Sequence, residues 1–198
     1  MRDQVDAESA ATTGPPLWRC CWPTADETTL SFCCPLEDGP WLAGRALDTV
    51  RKGGGTLPDP GRERYATGGG SGAPLIVGEP LLWHGIPAVL EVCQAQGRAT
   101  GEVTVRLPPW SELSLEVGED KVWDLADRIA VELGAACAIV SDGRAIGYPD
   151  LAAAERTARR LQLAHLGVIV PTSWLPFLRA GSNPYLLLPE SELAVVLE

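Results

Sequence analysis

The chain has 198 residues, 45% of them hydrophobic and 21% charged, a composition that excludes a fully disordered polypeptide and fits a single domain. Its 26 acidic residues outnumber the 16 basic ones, and a formal net charge of −10 disfavours nucleic acid and anionic lipid as partners. Without an apolar run near the ~20 residues of a membrane-spanning helix, and with a polar N-terminus unlike a secretory signal, the sequence predicts a cytoplasmic protein and no membrane partner.

The N-terminal part predicts a tail and a first hairpin. Residues 1–16 are polar and end in Gly-Pro-Pro, which predicts a flexible tail ahead of one domain over residues 17–198. The apolar runs 17–22 and 28–34 predict the two arms of a hairpin. Residues 53–72 are rich in Gly and Pro and predict a loop.

A β-meander is predicted in the middle of the chain. Its strands lie at 75–77 or 81–83, then at 88–93 and 102–107, with a turn at 84–87. Apolar and polar residues alternate strictly in the last strand. Val103, Val105 and Leu107 should therefore face the core, while the residues between them form a solvent-exposed face.

Helical periodicity predicts three helices, from about Pro40 to residue 52, from Glu119 or Asp120 to Leu133, and from Pro149 to Leu163. The Asp-Gly pair after residues 136–140 predicts a hairpin with residues 144–146. Further strands are predicted at 168–170, 185–188 and 193–197. Hairpins dominate, which indicates the α+β class, a mainly antiparallel sheet with about three helices on one face. Most tryptophans should be core residues, whereas Trp174 is predicted at the surface.

The six cysteines predict buried structural thiols in a reducing compartment. Neighbouring residues on a strand point to opposite faces, so each vicinal pair should place one sulfur in the core and one outside. A zinc site would need a gap of two to four residues within each pair, and here there is none. No metal or cofactor is therefore predicted. The cysteines are Cys20, Cys21, Cys33, Cys34, Cys93 and Cys137.

A small hydrolase is the enzymatic alternative. Its nucleophile would be Cys93 or Cys137, with His84 or His165 as the base. Cys137, however, lies in an apolar strand, where the pKa of a thiol rises and its reactivity falls. The sequence therefore predicts a protein that is not an enzyme.

An acidic segment is the predicted partner-binding surface. Six carboxylates and one cation, Lys121, lie between residues 112 and 127. Carboxylates can pair with Arg or Lys of a partner, and a tryptophan can anchor an interface. The aspartates at 124 and 127 share a helical face and could instead bind a divalent cation or act as acid and base. The predicted surface consists of Trp110, Glu112, Glu116, Glu119, Asp120, Asp124 and Asp127.

The segments Leu81-Leu82-Trp83-His84-Gly85, Ala88 to Cys93 and Val103 to Pro108 resemble the immunity protein 52 family of bacterial polymorphic-toxin systems. That family has an apolar strand ending in Trp-Asn-Gly, followed by two strands, and His84 stands here in place of the Asn. Residues 122–141 look like its helix and following strand. The resemblance implies a toxin inhibitor that binds a cognate toxin, often a nuclease, stoichiometrically and without chemistry. An acidic inhibitor could occupy the phosphate sites of a basic nuclease. A non-catalytic adaptor is the second reading.

Overall fold

The structure, a computed structural model, describes residues 27–36, 42–57, 65–67, 75–94, 100–141, 166–177, 185–188 and 191–197. These residues form an α+β fold in which helices cover one face of an antiparallel sheet, as the sequence predicts. The predicted tail 1–16, hairpin arm 17–22, strand 144–146 and helix 149–163 lie outside the described residues.

The described part of the sheet has ten strands, and all its pairs are antiparallel. They are β1 (Thr28–Pro35), β2 (Gly55–Thr56), β3 (Tyr65–Thr67), β4 (Leu75–Trp83), β5 (Ile86–Gln94), β6 (Thr100–Leu107), β7 (Cys137–Ser141), β8 (Gly167–Pro171), β9 (Tyr185–Leu187) and β10 (Leu193–Leu197). Their order is β2-β4-β5-β6-β1-β7-β8-β10-β9, and β3 also pairs with β4. The helices are α1 (Leu42–Lys52), α2 (Trp110–Glu116) and α3 (Glu119–Glu132), with a 3₁₀ helix at Thr172–Phe177.

The predicted meander is confirmed as β4, β5 and β6. Both segments proposed for its first strand belong to the single nine-residue strand β4. The turn is only His84-Gly85, and both residues have positive φ, 49° and 85°. Two such residues make the mirror-image turn that matches the twist of a hairpin. Asn and Gly adopt this conformation more easily than His does.

The main core lies between α1, α3 and one face of the sheet. Val103, Val105 and Leu107 are fully buried there, as their alternation predicts. The helix α1 packs over β5 and β6, and α3 packs over β1 and β7. Helix α3 ends as expected at Gly134, whose φ is 62° and whose neighbour Ala135 donates to the carbonyl of Ala130 at 2.8 Å.

The opposite face of the sheet carries a second, smaller apolar cluster under the 3₁₀ helix. Trp174 is buried in it against Val168 and Val170, so the prediction of a surface tryptophan is wrong. The vicinal pair on β1 is divided between the two faces as predicted, with Cys34 in the main core, but the prediction that the other sulfur lies outside is wrong for Cys33. That second position is buried as well.

Strand pairing shows which neighbours the two predicted hairpin strands have, and it corrects one predicted loop. Both edges of β1 are occupied, by β6 and β7. Strand β7 in turn pairs with β1 and β8. The hairpin partners predicted for β1 and β7, residues 17–22 and 144–146, lie outside the described residues. Two short strands, β2 and β3, interrupt the predicted loop at 53–72 because β4 offers them an open edge.

Candidate partner-binding surface

A short helix that lies outside the three predicted helices carries the first part of the predicted surface. Helix α2 begins directly after Pro109, and its Leu113 is fully buried. Trp110 is half-buried and packs against the main core. The inward residues follow the helical spacing 110, 113 and 117. The remaining positions of α2 therefore face outward.

Leu115 is the most exposed large apolar residue among those described, with 87% of its surface accessible. It lies on α2 between Glu112 and Glu116, and both of these are exposed. A single exposed leucine is common on protein surfaces, so Leu115 is a candidate contact only together with the carboxylates around it, as an apolar centre with a polar rim. Leu115 is absent from the predicted surface, because its exposure depends on the helical conformation of α2.

The outer face of α3 continues the negative charge. Glu119 and Asp120 occupy its first turn, where carboxylates stabilise the positive end of the helix dipole, and both are exposed. Asp124 is exposed one turn later. Together with Asp127 and the α2 residues, these side chains form what we call the acidic surface: Glu112, Leu115, Glu116, Glu119, Asp120, Asp124 and Asp127.

Asp127 is the carboxylate of this surface that lies deepest. It is half-buried, and its Oδ1 has no hydrogen-bond partner among the described residues. Burial, with a further contribution from Asp124, raises the pKa of Asp127 to about 6.

Helix α3 is fixed to α1 at its C-terminal end by polar contacts of Glu132. Its carboxylate accepts hydrogen bonds from Nζ of Lys52 at 3.0 Å and from Oγ1 of Thr49 at 3.1 Å. The guanidinium of Arg45 donates to its backbone carbonyl at 3.1 Å. Lys52 is the main cause of the lowered pKa of Glu132. These contacts fix the C-terminal end of α3, the helix that carries Glu119, Asp120, Asp124 and Asp127 of the acidic surface.

The structure separates one of the nucleophile and base pairs that the sequence left open for a hydrolase, Cys137 with His84. His84 lies in the exposed turn after β4, whereas Cys137 is buried in β7. Four strand spacings separate β4 from β7, a distance of about 19 Å. Hydrogen bonding with Cys33 and burial raise the pKa of Cys137. His165 lies outside the described residues.

The sheet face opposite the helices is polar along β5 and β6, but it is less open to water than the alternation predicts. Arg106 holds the buried Glu27 through two hydrogen bonds, Nε to Oε2 at 2.7 Å and Nη2 to Oε1, and its Nη1 lies 3.5 Å from Oε1 of Glu91. Beside this cluster, the hydroxyl groups of Thr29 and Ser141 are 2.6 Å apart. These groups satisfy one another, so this face offers a partner fewer free charges than the acidic surface does.

Comparison with known proteins adds a distant likeness of fold. No family model matches the chain, and no curated protein matches it. The solved structure of the Pseudomonas aeruginosa T6SS protein PA0821 superimposes with a TM-score of 0.49 and 8% sequence identity, covering 87% of this chain and 69% of that one. A likeness at this level carries no argument about function.

The described residues meet neither the requirements of a membrane-spanning helix nor those of a metal site. None of the helices in the described ranges is long and apolar enough to cross a bilayer. Across the same ranges, no three His, Cys, Asp or Glu side chains converge in a way that could hold a metal ion.

Proposed function

We propose that this protein is an immunity protein, a stoichiometric inhibitor that binds a basic protein toxin through the acidic surface. The observation that carries the proposal is the exposed Leu115 set among exposed carboxylates on α2 and α3. An apolar anchor surrounded by charges is the usual anatomy of a protein interface, and carboxylates select a partner rich in Arg and Lys. Inhibition of this kind involves no chemistry by the inhibitor.

The test is co-expression with the products of the genes that flank the gene of this protein. One of them should kill the cell when it is expressed alone, and this protein should restore survival and be recovered with it in a one-to-one complex. Glu112→Lys with Glu116→Lys should abolish both survival and complex formation, because the reversed charges repel a basic partner. The matched control is Asp48→Lys with Glu192→Lys, which reverses two exposed carboxylates elsewhere and should leave protection intact. Protection that survives the first pair of substitutions would contradict the proposal.

The apolar anchor is tested separately. Leu115→Ala should weaken binding roughly 30-fold, the effect of losing an interface hot spot of about 2 kcal/mol. It should change the stability of the free protein by less than about 0.5 kcal/mol, because the side chain is already in water. Leu187→Ala, at a residue that is 63% exposed on the edge strand β9, is the control and should bind normally. Equal affinities for the two variants would exclude Leu115 from the interface.

An adaptor would be distinguished by the survival assay. It would form its complex through the same surface, but with a partner whose expression does not harm the cell. A complex without any protective effect would favour this second function.

A further inference from the structure

Four titratable side chains follow one another across four neighbouring strands on the face opposite the helices. In register, Cys93 of β5 lies opposite Glu102 of β6, Glu102 lies opposite Cys33 of β1, and Cys33 lies opposite Cys137 of β7. Residues directly opposite each other on antiparallel strands have Cβ atoms about 4.5–5.5 Å apart. The two ends of this row differ, because Cys93 lies between Ile76 and Glu102, whereas Cys33 and Cys137 are adjacent thiols.

The two adjacent thiols are chemically unequal. A hydrogen bond from the thiol of Cys137 lowers the pKa of Cys33 to about 7, and the same contact together with burial raises the pKa of Cys137. By contrast, burial raises the pKa of Cys34 to about 12 and also raises that of Cys93. The thiolate is the nucleophilic form of cysteine. Cys33 is therefore set apart from the three other described cysteines.

We propose that Cys33 and Cys137 form an oxidation site, at which a hydroperoxide converts the two thiols into a disulfide that links β1 to β7. With hydrogen peroxide as the oxidant, the Cys33 thiolate attacks one peroxide oxygen, the O–O bond breaks, and the leaving hydroxide takes up the proton that Cys33 had released and becomes water, which leaves Cys33 as a sulfenic acid. The Cys137 sulfur then attacks the Cys33 sulfur, the S–OH bond breaks, and the departing hydroxide takes the proton of the Cys137 thiol and leaves as a second water. Two thiols and one hydrogen peroxide thus give one disulfide and two waters.

The position of this pair in the sheet gives the bond a structural consequence. In the strand order, β1 and β7 are the neighbours that join the five-stranded path β2-β4-β5-β6-β1 to the path β7-β8-β10-β9. A disulfide here closes a loop between residues 33 and 137 and fastens the two halves of the sheet to each other. The oxidised protein should therefore unfold at a higher temperature than the reduced protein.

The low exposure of the two thiols favours a small oxidant. Cys33 is 6% exposed and Cys137 is 1% exposed, so a small peroxide can reach the pair more easily than a protein thiol can. If exposure alone determined oxidation, the half-buried Cys93 would react before either of them. This makes Cys93 the internal reference for the experiment.

The experiment treats the full-length reduced protein with an equimolar amount of hydrogen peroxide and maps its thiols by mass spectrometry after alkylation and digestion at Glu and at Lys/Arg. We expect a cross-linked peptide pair containing Cys33 and Cys137, with Cys93 still alkylated. In Cys137→Ser the reaction should stop at the sulfenic acid, which dimedone labels at Cys33. The matched control Cys93→Ser should form the cross-link at the wild-type rate.

Oxidation of Cys93 or Cys34 ahead of Cys33 in the wild-type protein would overturn the proposal, as would a Cys33–Cys137 pair that stays reduced at that dose. The wild-type map decides this without any variant, so a poorly folded substitution cannot obscure the result. It is also independent of any toxin, and it can fail while the proposed inhibitor function stands.

Discussion

The folded structure disfavours the charged form of the Glu102 carboxyl group. Burial is the main cause, the charge of Glu91 adds to it, and the hydroxyl of Thr104, which donates to Oε1 at 3.0 Å, only partly compensates. Together they raise the pKa of Glu102 from 4.5 to about 7. The folded state then binds this proton more tightly than the unfolded state does, so stability is lost as the pH rises from about 4.5 to about 7.

Glu102→Gln should remove this loss. At pH 8 we expect the free energy of unfolding to exceed that of the wild type by about 3 kcal/mol, and at pH 4 we expect no difference. Urea unfolding at pH 4, 6 and 8 measures the effect. Glu192→Gln, at an exposed carboxylate outside the helices, should follow the wild-type curve at all three values. A constant offset between Glu102→Gln and the wild type would show that packing, not titration, accounts for the change.

At the scale of elements, Gly167 of β8 allows the side chain of Trp123 on α3 to pack closely against the sheet. A Cβ at Gly167 of β8 would lie 2.6 Å from Cη2 of Trp123 and 2.8 Å from the carbonyl oxygen of Val196. The backbone oxygen cannot move aside, so Gly167→Ala should destabilise the protein by about 2–3 kcal/mol through overpacking.

The control is the same substitution in α1. A Cβ at Gly44 would meet nothing within 4 Å, so Gly44→Ala should stabilise the protein by about 0.5–1 kcal/mol through helix propensity. Thermal unfolding of the two variants should therefore shift in opposite directions. Shifts of the same sign would mean that the Trp123 contact does not limit the packing of α3 on β8.

Elements specified by local patterns could be predicted from the sequence. Helices α1 and α3 have apolar stripes and end signals, and β4 and β5 are joined by a two-residue turn. The strands β2 and β3 could not be found, because two or three residues gain their order from the edge of β4 and not from their own propensity. Strands β1 and β7 pair with strands that are distant in the sequence, and the residues of a local turn do not predict such pairing. The carboxylates of the acidic surface were evident from composition, whereas Leu115 required the helix that orients it.

For the whole molecule, the question is whether its net charge or its local charge attracts a partner. The formal charge is −10, which steers a basic protein from a distance when the ionic strength is low. At physiological ionic strength the Debye length is about 8 Å, so charges farther from the interface than this are largely screened. The acidic surface should then dominate association in the cell.

The two double reversals proposed above separate these contributions. Each substitution adds two charge units, so both variants carry −6, yet only Glu112→Lys with Glu116→Lys alters the acidic surface. At about 150 mM salt this variant should associate at least roughly 10-fold more slowly, whereas Asp48→Lys with Glu192→Lys should keep the wild-type rate. At about 10 mM salt, where the Debye length reaches about 30 Å, both should be slower than the wild type. Stopped-flow association with the captured partner measures these rates. Equal slowing at the higher salt would assign steering to the net charge and leave the acidic surface without a specific part in recognition.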